Sequence, residues 1–306
     1  MRKDVVPYTV GGREVEVSHE GKVFFPESGI TKGDVIRYYL QIAPLILPHL
    51  EGRPVSMERF PDGITGESFY QKEIPDYFPD WIHRASIPYH HKGVSQFQVV
   101  CDSPVTLVYL ADQGCITPHT WLSRSTHLRR PDKMILDLDP PGDDFAPVRT
   151  VASMVRDVLE GVGLRPSVMT TGSRGVHVVV PIVPSLEFGR VRTFAESVAG
   201  ILAERHPDLV TDEIRKEKRG NRIFIDALRN GYGATSAPPY AVRPKPGAPV
   251  ATPLEWKELE DPQIHSRSFT ILNLFERLVQ KGDLWKGFHD NGQPLEDVIQ
   301  DLRKKR

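Results

Sequence analysis

A chain of 306 residues holds enough material for one large domain or two ordinary ones, and 26% charged against 39% hydrophobic residues excludes a disordered or membrane-embedded class. A net charge of -1 withholds the overall basic excess usual in nucleic-acid-binding domains, and the two cysteines, Cys101 and Cys115, stand outside any CxxC, which excludes a disulfide framework and a thiolate zinc site. The opening MRKDVVPYTVGGREVEV has no apolar core segment and YLQIAPLILPHL is short and interrupted by prolines, so neither a signal peptide nor a membrane span is expected and the cytoplasm is the expected location.

Thr31 and Asp34 form a capping-box pattern, and the apolar positions of GDVIRYYLQIAPLIL then recur at helical spacing, so a helix is predicted from near residue 32. QFQVVCD and TLVYLAD, on either side of the Ser103-Pro104 turn signal, read as two strands. MILDLD is a short strand stopped by Pro140 and Pro141. FAPVRTVASMVRDVLEGVG is amphipathic and is predicted to be a helix closed by Gly161 or Gly163. PSVMTTGSRGVHVVVPIV reads as two strands joined by the small-residue loop TGSRG, FGRVRTFAESVAGILAERH as a helix, and NRIFIDAL as a strand. APPYAVRPKPGAPVATP carries too many prolines for regular structure and is expected to be an ordered loop or an extended crossing. LEDVIQDLRKKR closes the chain as a helix with acids at its start and bases at its end, in keeping with the helix dipole. The pattern is α+β, with several sheet segments in the second half.

Charge is concentrated just ahead of the two acidic strands, in LSRSTHLRRPDK (residues 122–133) and EIRKEKRGNR (residues 213–222). Either cluster alone reads as a solvated face. In MILDLDPPGDD, strand alternation points Asp137 and Asp139 from one face and Leu136 and Leu138 from the other. Two carboxylates about 7 Å apart along a strand repel one another. A hard divalent cation between them fits, as does an exposed strand end with two ordinary acids. Asp226, at the end of RIFID, repeats the context, and three such acids suffice to hold two metal ions for an in-line displacement at phosphorus. TTGSRGVHVVVP adds the hydroxyls of Thr171 and Ser173, the donor fork of Arg174, and His177 on the following strand, a set suited to a triphosphate. A tight turn with a structural histidine fits the same residues, and the P-loop pattern is absent.

The order DLDP, then a small-residue loop running into GVHVVVP, then a strand ending in FID resembles the polymerase domain of the prokaryotic end-joining DNA ligase D, within the archaeo-eukaryotic primase superfamily. GKVFFPESGITKGDVIRYY, LPHLEGRP, ERFPDG, SFYQK, the HTW of ITPHTWLSR, and APPYAVRP stand in the same order, so the resemblance covers most of the chain. It implies a primase-like polymerase fold over residues 1–306, with mixed or antiparallel sheets forming the catalytic core, flanked by helices. An N-terminal subdomain of about residues 1–125 would pack on a catalytic core of about residues 126–290. It implies a DNA-dependent nucleotidyltransferase of the polymerase-primase type, using two manganese or magnesium ions and NTPs or dNTPs, ribonucleotides preferred. Such an enzyme fills gaps or extends broken DNA ends during double-strand break repair by non-homologous end joining, with Ku and a DNA ligase domain or protein as partners. It would work on the nucleoid when bound to DNA.

Carried over, Asp137, Asp139 and Asp226 would hold the metals, with Asp226 assisting the primer 3'-hydroxyl. Thr171, Ser173, Arg174, His177 and Arg243 would meet the triphosphate, and His119 the incoming sugar. Lys22 and Lys32 would take the 5'-phosphate of a downstream strand, against the plain alternative of solvated surface lysines. One of Phe69 and Tyr70 would stack on the template base, its neighbour being core. His119 reads equally as a buried, hydrogen-bonded histidine. Thr171 stands where serine is commoner, Arg174 where lysine is commoner, and Glu58 where a basic residue is expected, which sets one DNA contact in question. Within the chain there is no ligase or nuclease segment, which fits both a stand-alone polymerase and an excised domain. Two other classes stay open: a DxD phosphohydrolase, whose motif would continue with Thr or Val where this chain has Pro140, and a non-catalytic module that binds DNA ends.

Overall fold

A computed structural model describes residues 4–88 and 95–299. The chain divides into two units, one from Met1–Thr126, Thr235–Ala251 and Phe269–Gln280, the other from His127–Ala234, Thr252–Ser268 and Lys281–Arg306. The expected α+β class is borne out in both.

In the first unit, Thr31 begins the helix Lys32–Leu50 as expected: Asp34 N donates to Thr31 Oγ1 at 3.2 Å and Thr31 N donates to Asp34 Oδ2 at 2.8 Å, which satisfies two end donors reciprocally. Its buried face carries Val35, Ile36, Tyr39, Ile42, Ala43, Ile46 and Leu50, the spacing of an amphipathic helix. Burying phenols requires partners. Tyr38 donates to the Tyr240 carbonyl at 2.8 Å and Tyr39 to the Ile116 carbonyl at 2.6 Å. A sheet runs in the order Thr235–Ser236, Cys115–Trp121, Pro54–Arg59, Ser95–Val100, Arg84–Pro88, with Phe69–Gln71 also paired to Pro54–Arg59. Both cysteines are buried thiols, and burial raises the pKa of each.

One element differs from expectation. TLVYLAD is not a strand but lies in the helix Pro104–Asp112. Ser103 is its N-cap, extended in backbone and accepting from Thr106 N at 3.4 Å, and Pro104 sits in the first turn where its missing N–H costs nothing. The dipeptide is a helix start as well as a turn signal. The run lacks a polar face because Thr106, Leu107, Val108, Leu110 and Ala111 are all buried, against the helix Lys32–Leu50 among other elements.

The proline-rich crossing is ordered as expected: Tyr240, Ala241, Val242, Ala248, Val250 and Ala251 are buried, and Val242 bridges Val250. Its tail continues as the strand Thr252–Leu254 in the second unit. There the sheet order is Val210–Thr211, Ile223–Asp226, Lys133–Asp139, Val176–Pro181, Ser167–Thr170, Thr252–Leu254, antiparallel throughout except for the first pair. The helices Ala146–Glu160 and Phe188–Arg205 pack against its strands, the first burying Val148, Val151, Ala152, Val155 and Leu159. Gly161 caps that first helix with an ordinary φ, while Gly163 takes the left-handed φ of 86° that turns the chain away. The helix Leu274–Lys281 is not anticipated by the sequence pattern. The last predicted helix begins as a helical turn at residues 296–299, and its remainder lies outside the described residues. Among the described residues no helix is long and apolar enough to cross a membrane.

Candidate active site

Three neighbouring strands of the second unit set the acids in register. Asp137 is directly opposite Asp226 on one side and His177 on the other, so the three side chains form a row across one face of the sheet. Asp139, two residues along the same strand, shares that face by pleat and stands opposite Phe224. Leu136 and Leu138, of opposite pleat, are fully buried. The alternation read from MILDLD therefore holds, and folding joins it to Asp226.

Asp137, Asp226 and His177 are buried, and Asp139 is partly so. Arg229 enters between the acids: its Nε donates to Asp137 Oδ2 at 3.2 Å and lies 3.5 Å from Asp226 Oδ2. His177 Nε2 is 3.5 Å from Asp137 Oδ1, and His177 Nδ1 is buried without a hydrogen-bond partner among the described residues. Asp226 Oδ1 accepts from Leu228 N at 2.7 Å. Asp139 forms no ion pair among the described residues.

Charge is not balanced evenly over this row. Burial pushes the Asp137 carboxyl up, but His177 and Arg229 hold it down at about 2. Asp139 is raised by burial and by the charge of Asp137, with Arg174 and Arg229 only partly offsetting. Asp226 is likewise raised by burial and by Asp137, against the pull of Arg229. Two of the three acids resist ionisation, so the row has too little positive charge. A hard divalent cation with oxygen ligands fits that donor set. Among the described residues no three His, Cys, Asp or Glu side chains stand as a ready cage, and the arginine in ion-pair contact with the acids is Arg229.

Sequence reading missed Arg229. The signal was present in DALRN, a cation three residues beyond an acid, but a short 3-10 turn, Leu228–Asn230, is needed to bring it back. Asn230 fixes that turn to the acid strand, accepting from Ile135 N at 2.9 Å and donating to the Ile135 carbonyl at 2.6 Å.

The loop TGSRG lies flush on the acid strand. A Cβ at Gly175 would collide with the Leu138 carbonyl, and the strands Ser167–Thr170 and Val176–Pro181 pair as expected on either side of the loop. Thr171 is committed to the loop itself: its N and Oγ1 donate to the Gly175 carbonyl at 3.1 and 3.0 Å, and Oγ1 accepts from Ser173 N at 3.2 Å. Its hydroxyl is thus engaged within the loop that was expected to meet the triphosphate. Ser173 and Arg174 are half-buried, and the charge of Arg174 acts on Asp139. Arg267 Nε and Ser266 Oγ donate to the Ser173 carbonyl at 2.7 and 2.9 Å, a brace that nothing in the sequence announced. In the basic stretch 213–222, Arg219 stacks 3.5 Å over the ring of Phe224, so part of that charge is structural.

The remaining candidates belong to the first unit. His119 is buried and bonds through Nε2 to Glu58 Oε2 at 2.9 Å, with the Tyr70 hydroxyl at 3.4 Å. Glu58 is pushed up by burial but pulled lower overall by the hydrogen bond and charge of His119, by the charge of Arg243 and by Tyr70. Where a basic residue was expected, Glu58 is thus the partner of His119. Phe69 and Tyr70 are 46% and 58% exposed, so neither is core, against the expectation that one of two neighbours would be. Arg59 lies 5.4 Å from the Phe69 ring centre. Arg243 is half-buried, its backbone N donating to Pro249 O at 2.7 Å.

Lys22 is partly exposed, donating to the Pro61 carbonyl at 2.8 Å and pairing with Asp62. Lys32 is no surface lysine. Its ammonium is buried and fully engaged by Asp112 Oδ1 at 2.7 Å, the Ser18 carbonyl at 2.6 Å and Ser18 Oγ at 3.3 Å. As placed it ties the segment from Ser18 to Lys22 onto the helix start, since Lys32 N also donates to Lys22 O at 2.8 Å.

The profile of the LigD primase-polymerase domain matches residues 31–285. Among curated relatives, the multifunctional non-homologous end joining protein LigD of Mycolicibacterium smegmatis is 30% identical over 295 residues, 95% of this chain and 38% of that protein. The bifunctional LigD of Bacillus subtilis is 30% identical over 288 residues, 93% of this chain and 46% of that protein. The chain thus spans less than half the length of these relatives. A solved structure, the polymerase domain from Mycobacterium tuberculosis ligase D in complex with DNA, superposes with a TM-score of 0.84 at 28% identity, covering 91% of this chain and 99% of that one. The resemblance carried by DLDP, GVHVVVP and FID is thereby borne out, and the chain belongs to the LigD primase-polymerase domain family.

Proposed function

We propose that this chain is a metal-dependent nucleotidyltransferase that adds nucleotides, ribonucleotides in preference, to primer 3' ends at gaps or broken DNA ends during end joining. The observation that carries the reading is the register that sets Asp137 opposite Asp226, with Asp139 beside them, on strands bordered by a loop rich in small residues and donors. In this reading Asp137, Asp139 and Asp226 hold two manganese or magnesium ions. When bound, such ions supply charge neutralisation at the triphosphate and favour ionisation of the attacking hydroxyl.

The chain's own groups do the rest. Asp226 accepts the proton of the primer 3'-hydroxyl. Thr171, Ser173, Arg174 and His177 meet the triphosphate, with Arg243 adding charge, and Thr171 also holds the loop in shape through the Gly175 carbonyl. His119 orients the incoming sugar, its ring fixed by Glu58. Lys22 takes the 5'-phosphate of a downstream strand, on a segment that Lys32 braces. Phe69 or Tyr70 stacks on the template base, a contact worth about 1 to 3 kcal/mol per base. DNA as the substrate is supported by the DNA complex of the Mycobacterium tuberculosis domain and a role in end joining by the end-joining relatives, while Ku and a ligase as partners rest on the sequence resemblance alone.

The test is extension of a labelled gapped duplex with NTPs and with dNTPs, in Mn and in Mg. Extension by wild type, lost in Asp137→Ala, Asp139→Ala and Asp226→Ala with gapped-DNA binding retained, is the expected result. Phosphate release without extension would move the chain to the phosphohydrolases, and DNA binding with no extension in either metal would leave an end-binding module.

A further inference from the structure

Asp137 and Asp226 face one another across two hydrogen-bonded strands, both largely out of water. Two carboxylates so placed need a cation between them to stay ionised. The chain supplies its own, because Arg229 Nε reaches Asp137 Oδ2 at 3.2 Å and Asp226 Oδ2 at 3.5 Å. These are single contacts from one nitrogen rather than a two-pronged fork, the weaker of the geometries open to an arginine.

The backbone beneath Arg229 is fixed, and its side chain is not enclosed. Asp226 Oδ1 holds Leu228 N at 2.7 Å and the Asn230 amide bonds to Ile135 and to the Ala227 carbonyl, so the turn is pinned at both ends. The Arg229 side chain itself is 43% exposed, against 9% for Asp137 and 12% for Asp226. The guanidinium therefore has an open side to leave by while its Cα stays in place. The charged groups acting on it are Asp137, Asp226 and Asp139, on the paired strands Lys133–Asp139 and Ile223–Asp226.

We propose that Arg229 is a resident counter-ion that competes with divalent metal for Asp137 and Asp226, holding the metal-free site together and setting the metal affinity. Metal entry then requires the guanidinium to swing outward, where it becomes a free positive charge beside the acids for an anionic substrate group. The inference rests on the reading of the three aspartates as metal holders.

Mn(II) binding without nucleotide, followed by the EPR signal of the free ion, together with melting in EDTA and in saturating Mn(II), tests it. Arg229→Gln is expected to tighten Mn(II) binding by on the order of tenfold, the factor a displaced competitor imposes on an apparent dissociation constant. Its melting temperature should drop in EDTA, and that deficit should close in saturating Mn(II), which a merely structural arginine would not produce. Unchanged or weaker binding, or a deficit that persists in the metal, overturns the proposal. Should Arg229→Gln not fold, Arg229→Lys, which keeps the charge on a single ammonium, is expected to bind Mn(II) more tightly than wild type, and failure to do so overturns it equally. Asp226→Asn separates the two levels. If that variant loses Mn(II) binding while Arg229→Gln gains none, only the counter-ion role fails; if it binds Mn(II) as wild type does, the metal site fails and the inference with it.

Discussion

Replacing Lys32 by Met removes the only charge that neutralises Asp112 at short range among the described residues, in a pair whose two side chains are each 6% exposed. Breaking a buried ion pair by deleting one partner costs about 3 to 5 kcal/mol, because the other charge is left in low dielectric. Asp112 keeps two good donors, Ser18 N at 2.9 Å and Gln113 Nε2 at 3.0 Å, which places this case at the low end, about 3 kcal/mol. Lys32→Met with Asp112→Leu should recover most of the loss, since neither charge is then stranded. Urea melts followed by tryptophan fluorescence in the first unit, where Trp81 and Trp121 sit, give the comparison. The same variants, tested for binding to gapped duplex with and without a downstream 5'-phosphate, separate bracing from direct contact. Lys32→Met should weaken the phosphate preference only through loosening of the Ser18–Lys22 segment. A Lys32→Met protein of wild-type stability, or one destabilised by less than about 1 kcal/mol as for an exposed pair, would refute the reasoning.

Lys22→Ala, at a partly exposed site paired with Asp62, should leave stability within about 1 kcal/mol of wild type yet erase the 5'-phosphate preference in the same binding assay. Gly175→Ala forces a methyl group onto the Leu138 carbonyl and should cost about 1 to 3 kcal/mol in melting experiments along with triphosphate affinity, whereas Gly142→Ala, where a Cβ meets nothing within 4 Å, serves as a neutral control. For Glu58 the sign runs with pH. Its carboxyl sits below the ordinary 4.5 of a glutamate in the folded protein, so it contributes stability that is fully present above 4.5 and is lost as the pH falls through the lowered value. Stability curves of wild type and Glu58→Gln against pH should therefore separate at neutral pH and draw together in acid, and parallel curves down to strong acid would contradict the pairing with His119.

The parts of the fold written in local chemistry were legible. Thr31 with Asp34 starts a helix because two side chains close on two backbone donors within four residues, and alternation alone sorts Asp137 from Leu138. Ser103-Pro104 misled because the same two residues begin a turn or a helix, and the apolar run after them is buried on too many sides to show a period. The site was half legible. Its acids could be grouped from their shared strand-end context, but the pairing of Asp137 with Asp226 is a register between distant segments, and Arg229 acts through a fold-back that no spacing rule encodes. Lys32 could be read only as a phosphate ligand or a solvated surface lysine because its neutralising partner lies in another helix, at the far end of TLVYLAD. The return of Thr235–Ala251 and Phe269–Gln280 to the first unit likewise leaves no local mark in the chain.

Asp137 and Asp226 are companions through the sheet's ladder and not through the peptide between them, and this gives the intervening sequence unusual liberty. The exposed turn around Val183, where Ser185 N donates to the Val183 carbonyl at 2.8 Å, lies between the two acid-bearing strands in the chain while taking no part in either. Inserting residues beyond Val183, whose own N donates to Gln293 O at 3.0 Å, adds a loop-closure cost that grows with the logarithm of length. Such a connection can be grafted, tagged or nicked while the acids keep their places, which makes it the natural seam for dividing this chain into two fragments that reassemble.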